Sequence, residues 1–325
     1  MKDFSALTKR GKIQRYGRVL IDSLQDYPIK VKSMKFISMH TKPVFRIYTR
    51  TGSYAAKFHD PTEHVYSQMM GELRFLDHIS RNSNLCVETP LVNKRGDLVT
   101  SVKSIWLPET AHFALCSWVL GRQLKDETSI RSYYYLGISS ATLHNVSASF
   151  RPGSEFSILT NNKVYYWDKE TILSRKESKL LPKHRQDIFI KATQIAQKAI
   201  GKKWKSGKKP IVIHNDLHPC NIKLRGDRLS IFDFEDVTWG YDVQDIGTAM
   251  YHIRFREDYC DLLKAFKKGY EQVQKWPIEN DEQLDSFIMA RLLMFANYVV
   301  NYNIRPHKYL PEFELKLKTM LNKRT

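Results

Sequence analysis

Ile13, Tyr16, Val19, Leu20 and Leu24 recur at near-helical spacing among basic residues until Tyr27-Pro28 breaks the pattern, so the chain opens on a short amphipathic helix. From Val31 to His59 the texture turns β-branched and aromatic. VFRIY and SYAAKF flank the turn signal Arg50-Thr51-Gly52-Ser53, which predicts a hairpin. Val65, Met69, Leu73, Leu76 and Ile79 then share one stripe of a helix running from about Glu63 to Ile79. Two more strand segments follow, LVNKRGDLVTSV and HFALCSWVL, which makes the first third of the chain a sheet with one helix inserted.

After Gly121 the period is mostly helical: Ser129 to Asn145, Trp167 to Arg175, His184 to Lys203, and long stretches beyond Gln244. The exception is Pro210 to Asp236, where IVIH, NIKLR and LSIFDF predict a small β element, its last two runs joined across Gly226-Asp227. The boundary between the two textures lies near Trp118 to Arg122. We therefore expect an N-terminal domain over 1–118 and a C-terminal one over 119–325.

Composition narrows the class. The 325 residues are 42% hydrophobic and 26% charged, which excludes a disordered chain, a collagen or a coiled-coil rod. Lys and Arg total 52 against 34 Asp and Glu, a surplus of 18 that biases the surface toward anionic partners such as nucleotide phosphates. Cys86, Cys116, Cys220 and Cys260 form no C-x-x-C pair, so neither a zinc ribbon nor a disulfide framework is indicated. The longest apolar block, Phe287 to Val300, is interrupted by Arg291 and Asn297 and is too short for a membrane span. A cytoplasmic, soluble protein is the expectation. The basic knot GKKWKSGKK at 201–209 reads first as a solvated loop.

The candidate chemistry lies in HNDLHPCN, His214 to Asn221, and in IFDFED, which carries Asp233. Asp216 and Asp233 each emerge at the end of a buried apolar run, where a carboxylate needs a cation or a proton donor. Oxygen ligands from Asn221 and Asp233 suit Mg²⁺, a hard ion usually completed by substrate phosphates and water. Asp216 is then left to accept the proton of an attacking hydroxyl. Such a set, with one lysine, suffices for phosphoryl transfer, in which the protein mainly positions groups and neutralises charge. Lys57 on SYAAKF supplies the lysine, and Glu72 on the following helix would pair with it and orient it toward nucleotide phosphates. Each piece alone has a plainer reading: Lys57 and Glu72 as surface residues, Asp216 with Asn221 as a turn and cap. Their order along the chain is the signal.

HNDLHPCN followed by IFDFED resembles the H-x-D-x-x-x-x-N and D-x-D/E motifs of the aminoglycoside phosphotransferase and choline kinase superfamily. WGYDVQDIG, with Gly240 and Asp245, and the leucine-histidine segment LGISSATLHNVS at 136–147 extend the likeness. KFHDPTEHVYSQMMGELRFL and VLGRQL are similar, more distantly, to the bacterial stress-response serine/threonine kinase branch. The resemblance implies an α+β, two-lobed, protein-kinase-like fold with a small antiparallel β lobe and a larger, mainly helical one. It implies ATP and Mg²⁺ as cofactors, Asp216 as catalytic base, Asn221 and Asp233 as metal ligands, and Lys57 held by Glu72 on the phosphates. Backbone groups from Cys116 to Val119, Ser117 and Val119 among them, would meet the adenine. His214 is read as a structural residue under the catalytic loop and Cys220 as a packing residue. His218 stands where protein kinases carry a lysine, and D-F-G and A-P-E are absent. SMHTKP lacks the glycine of a phosphate-covering loop, and Glu235 replaces a second aspartate.

The acceptor is an alcohol hydroxyl, on a small molecule or amino-alcohol in the first reading and on a protein serine or threonine in the second. A catalytically silent pseudokinase or assembly protein, and a nucleic-acid binder favoured by charge alone, stand as other-class alternatives. Trp239, Tyr241, Tyr251, Phe255, Tyr298 and Tyr302 would serve as a cage for a cationic amine or, at helical spacing, as core. Glu257, Asp258, Asp261, Glu279, Asp281, Glu282 and Asp285 would attract such an amine or simply form a solvated helix face. Oligomeric state is not encoded in any of these patterns.

Overall fold

A computed structural model describes residues 3–39, 43–59, 66–154, 156–173 and 182–323. The chain divides into two compact units, one of residues 1–120 with 151–158 and one of 121–150 with 159–325. The expected opening helix is α1 (Lys9–Ser23), which buries Tyr16, Val19 and Leu20. The expected hairpin is one half of a three-strand meander, β1 (Val31–Met39), β2 (Pro43–Thr49) and β3 (Ser53–His59). In β2 alternate residues, Phe45 and Ile47 among them, are buried, as a strand with one covered face requires. His40, Thr41 and Lys42 of the SMHTKP stretch lie outside the described residues. So do 63–65, where the next helix was expected to begin; α2 itself covers Tyr66–Asn82.

LVNKRGDLVTSV is not one strand. Between β5 (Pro90–Leu91) and β6 (Thr100–Val102) the Asn93 side chain accepts the backbone N–H groups of Arg95 and Asp97, both at 3.0 Å, and Gly96 adopts φ 88°. That local turn competes successfully with the ladder. HFALCS forms β7 (Ala111–Ser117), and the short β4 (Cys86–Val87) precedes β5. The sheet order is β1-β2-β3-β7-β5, with β6 also on β7 and every one of these pairings antiparallel. Phe45, Ile47, Phe58 and Phe113 from the sheet close with Tyr16, Val19 and Leu20 of α1 into one apolar cluster. Residues 151–158 pack here too: the Ser157 N–H donates to Ser67 O at 3.3 Å, and Arg74 lies over the Phe156 ring.

In the second unit β8 (Arg122–Gln123) pairs with β11 (Ile222–Arg225), which forms a hairpin with β12 (Arg228–Ile231). The run Ile211–Ile213, β10, does not join that hairpin. It pairs instead with β13 (Thr238–Gly240), which in turn lies parallel to β9 (Leu159–Thr160). Two small sheets therefore stand where one β element was expected. Residues 167–173 are irregular, not helical, because the Asn297 side chain accepts from Thr171 and Ile172 N–H at 2.9 and 3.1 Å. Residues 174 and 175 of that expected helix lie outside the described residues.

The helices are α3 (Ile130–Ser147), α4 (Lys183–Trp204), α5 (Asp242–Tyr251), α6 (Tyr259–Tyr270), α7 (Asp281–Asn301) and α8 (Pro306–Asn322). α3 packs on α6, while α7 packs on α4, α5 and α8. The α3–α6 crossing is close because Gly137 faces the backbone of Phe266 and Tyr270, and Gly269 that of Tyr134 and Ile138. The basic knot is the end of α4 and the turn after it, tied down by Trp204 Nε1 on Asn161 O at 3.0 Å and by Tyr241 Oη on Lys208 O at 2.9 Å. All four cysteines are free thiols. No helix among the described residues is long and apolar enough to cross a membrane.

Candidate active site

In the first unit β3 is flanked on both sides, so Lys57 opposes Val44 on one neighbour and Ala114 on the other. The lysine is buried, and its Nζ lies 3.0 Å from Glu88 Oε1, itself buried. A buried ammonium requires such a partner. Glu72, the partner expected from sequence, is also buried on α2. Glu88 went unnoticed in the sequence because nothing in a lone Glu after β4 marks it as interior. Ser117 ends β7 with its N–H donating to Thr89 O and its hydroxyl accepting from Thr89 N–H, both at 2.8 Å. Its N–H is thus committed to protein, whereas Val119 is half-buried two residues on.

In the second unit the loop after β10 is shaped by one buried carboxylate. Asp245 on α5 accepts the N–H of His214 at 2.9 Å and of Asn215 at 2.5 Å, and it pairs with His144 of α3 at 3.1 Å. The Gly240–Asp245 segment and the leucine-histidine helix, separate motifs in the sequence, therefore meet under this loop. Asn215 takes φ 66°, uncommon for a residue with a Cβ, and its side chain bonds Asn161, Tyr166 and the Asp236 carbonyl. His214 is fully buried, lies tilted against the Phe234 ring and bonds Phe232 O at 3.1 Å, the structural placement expected of it.

Asp216 follows, with both carboxylate oxygens engaged. Oδ1 receives Arg291 Nη2 from α7; Oδ2 receives Asn221 Nδ2 at 2.8 Å and His218 Nε2 at 3.2 Å. Cys220 N–H donates to His218 Nδ1 at 3.1 Å, which leaves Nε2 as the ring's donor toward Asp216. Asn221 is held again by its amide nitrogen on Asp216 O at 3.1 Å. The register of β11 with β12 continues past its end, where Phe232 N–H donates to Asn221 O at 3.0 Å, so Asp233 emerges beside Asn221. Asp233 itself takes φ 69°. Two left-handed non-glycine residues in this one site are the kind of backbone strain that packing elsewhere must sustain.

The charges are unequal in effect. Loss of hydration pushes the Asp216 carboxyl up, but the Arg291 guanidinium and the His218 hydrogen bond more than reverse this and hold it well below the usual carboxylate range. Burial, then the neighbouring Asp216 charge, pushes Asp236 well above it. Burial also lowers His214, and it brings His252, whose ring lies against His218, down to about 3. One carboxylate is kept charged and its neighbour is pushed toward the neutral acid.

Arg291, like Glu88, is a residue whose role sequence reasoning passed over. Its signal was present: a single charge inside the apolar block Phe287 to Val300 needs a buried partner, and the only question was which. The acidic residues proposed to attract an amine are largely committed elsewhere. Asp285 grips Arg254 at 2.7 and 2.9 Å, Asp258 grips Arg256 at the same distances, and Glu279 meets Lys202 at 3.0 Å. Among the aromatics, Tyr251 and Tyr241 are buried, while Phe255 and Tyr302 are exposed. Tyr298 stacks with Trp167 and with Phe295.

Comparison with known proteins bears on the fold and the family. An amicoumacin kinase of Bacillus subtilis (strain 168) is 24% identical over 276 residues, which is 80% of this chain and 77% of that protein. The solved amicoumacin kinase hAmiN, in complex with AMP-PNP, Ca²⁺ and Ami, superposes with a TM-score of 0.74 at 16% identity, covering 95% of this chain and 96% of that one. A microcompartment-associated aminopropanol kinase superposes with a TM-score of 0.75 at 17% identity, covering 94% and 98%. The fold is thus the α+β, protein-kinase-like one. The phosphotransferase enzyme family matches over residues 35–280, more than half of the chain, and the chain belongs to that family.

Proposed function

We infer that this protein transfers the γ-phosphate of ATP to the hydroxyl of a small-molecule alcohol or amino-alcohol, with Asp216 as the base. The carrying observation is that Asn221 bonds Asp216 through its side chain and meets the residue before Asp233 through its backbone. The donor chemistry fits a divalent ion. With Asn221 Nδ2 spent on Asp216, the amide offers its oxygen, and Asp233 adds a carboxylate; both are hard ligands of the type Mg²⁺ takes. Among the described residues there is no group of three or more His, Cys, Asp or Glu that could hold a metal ion, so these two ligands would need substrate phosphates and water to complete the shell. Bound there, Mg²⁺ would neutralise charge on the nucleotide phosphates.

The rest of the chemistry falls to the protein. Asp216 orients the acceptor hydroxyl and receives its proton as the new oxygen–phosphorus bond forms and the bond to the β-phosphate oxygen breaks, leaving ADP. In the first unit Lys57, paired with Glu88, would supply the cation for the phosphates, with the buried Glu72 as its second expected partner, and the segment through Ser117 and Val119 would take the base of the nucleotide. Small alcohols rank ahead of protein serine because the relatives above are named for small-molecule acceptors.

Two measurements test this. A screen of alcohols, amino-alcohols and serine peptides with labelled ATP and Mg²⁺ should transfer label to a small molecule; label only on peptides would overturn the substrate class. In thermal-shift titrations Asp233→Ala should lose most of the stabilisation that ATP gives in Mg²⁺ and none of what ATP gives in EDTA. An unchanged Mg²⁺-dependent shift would remove Asp233 as a ligand.

A further inference from the structure

We propose that Arg291 is the positioning residue of the catalytic carboxylate, pinning one oxygen of Asp216 so that a single remaining lone pair faces the acceptor hydroxyl. This rests on the assignment of Asp216 as base. An ionised carboxylate offers about four lone-pair positions. Two on Oδ2 are taken by Asn221 and His218 and one on Oδ1 by Arg291, which leaves one on Oδ1.

The loop backbone does not need Arg291. Asp245 already holds the N–H groups of His214 and Asn215, and Asn221 holds the Asp216 carbonyl. Those bonds do not orient the Asp216 side chain, which Asn221 and His218 hold at Oδ2 and Arg291 at Oδ1, the oxygen that keeps the open lone pair. The guanidinium also spans to Asn215 O at 3.4 Å, so one rigid fork touches both the carboxylate and the loop that carries it. The remaining Arg291 contacts are slight: a 3.8 Å approach to Met294 Sδ, and an Nε that is buried with no hydrogen-bond partner. A guanidinium so incompletely satisfied among the buried apolar residues of α7 is retained for Asp216. Orientation of this kind changes the rate far more than it changes nucleotide affinity.

The test is hydrolysis of labelled ATP with Mg²⁺, water serving as acceptor, in the full-length protein. Arg291→Met should lower kcat at least 100-fold with the KM for ATP within twofold of wild type, and Arg291→Lys should recover at least tenfold of that loss. Wild-type kcat in Arg291→Met, or a lysine variant no faster than the methionine one, would overturn the proposal. The double variant Asp216→Asn with Arg291→Met removes both buried charges together and guards against misfolding of the single variant. Its residual rate should equal that of Asp216→Asn alone, because Arg291 acts only through the carboxylate. A further tenfold loss in the double variant would refute the inference. Wild-type turnover in Asp216→Asn would instead sink the assignment of the base, a separate failure.

Discussion

Asp216→Asn is expected to reduce phosphoryl transfer about 10³-fold, the usual scale for loss of a positioned general base, while ATP with Mg²⁺ still raises the melting temperature as it does in the wild type. The substitution is nearly isosteric, and the asparagine oxygen can still receive Arg291 or Asn221. What it removes is the negative charge able to take a proton, which Asp236 next door is poorly placed to replace because its burial favours the neutral form. Labelled-ATP turnover and thermal shift, measured on the same preparation, check both halves. Turnover within tenfold of wild type would mean that the proton leaves by another route.

The largest stability effect is expected at the α3–α6 crossing. Gly269→Ala puts a methyl group against Tyr134 O and within 2.9 Å of Tyr134 C, and Gly137→Ala meets Phe266 O and, at 2.8 Å, Tyr270 N. These are backbone atoms of a neighbouring helix, so no side-chain rotation relieves the overlap and the helices must separate. Overpacking of this kind costs roughly 3 kcal/mol or more. In a unit of about 200 residues that corresponds to a melting temperature lower by roughly 6–12 °C. Gly201 in α4 is the control: nothing lies within 4 Å of its added Cβ, and Gly201→Ala should be neutral or stabilising by up to about 1 kcal/mol. Equal melting of Gly269→Ala and wild type would show that the two helices have room to spare.

The separation of these effects follows from how the second unit is built. Asp245, His144 and Tyr270 form a buried chain, Asp245 to His144 at 3.1 Å and His144 to Tyr270 at 2.9 Å, that ties α5, α3 and α6 to the loop carrying Asp216. Gly269 is adjacent to Tyr270, so loosening α6 reaches the loop through packing. Arg291 and Asn221 reach Asp216 directly. Stability and turnover should therefore respond to different substitutions around one carboxylate.

Local pattern alone determined most of the elements. α1, α2, α3, α4 and the β11–β12 hairpin could be read because helical and strand periodicities, caps and a Gly-Asp turn act over a few residues. The motif HNDLHPCN likewise announced Asp216 and Asn221, since five residues of loop suffice to bring them together. Where a side-chain hydrogen bond or a distant pairing overrides the apolar pattern, the reading failed. Asn297 captures the N–H groups of Thr171 and Ile172 and leaves them irregular, and Asn93 folds its segment into a turn that interrupts an apparent strand. β13 draws β10 out of the hairpin's sheet by a pairing no spacing encodes. Only the tertiary structure brought in one partner for each of the two central charges, Glu88 for Lys57 and Arg291 for Asp216. They lie 31 and 75 residues away, and a buried ion declares in the sequence that it needs a counter-charge without saying which one the fold will bring.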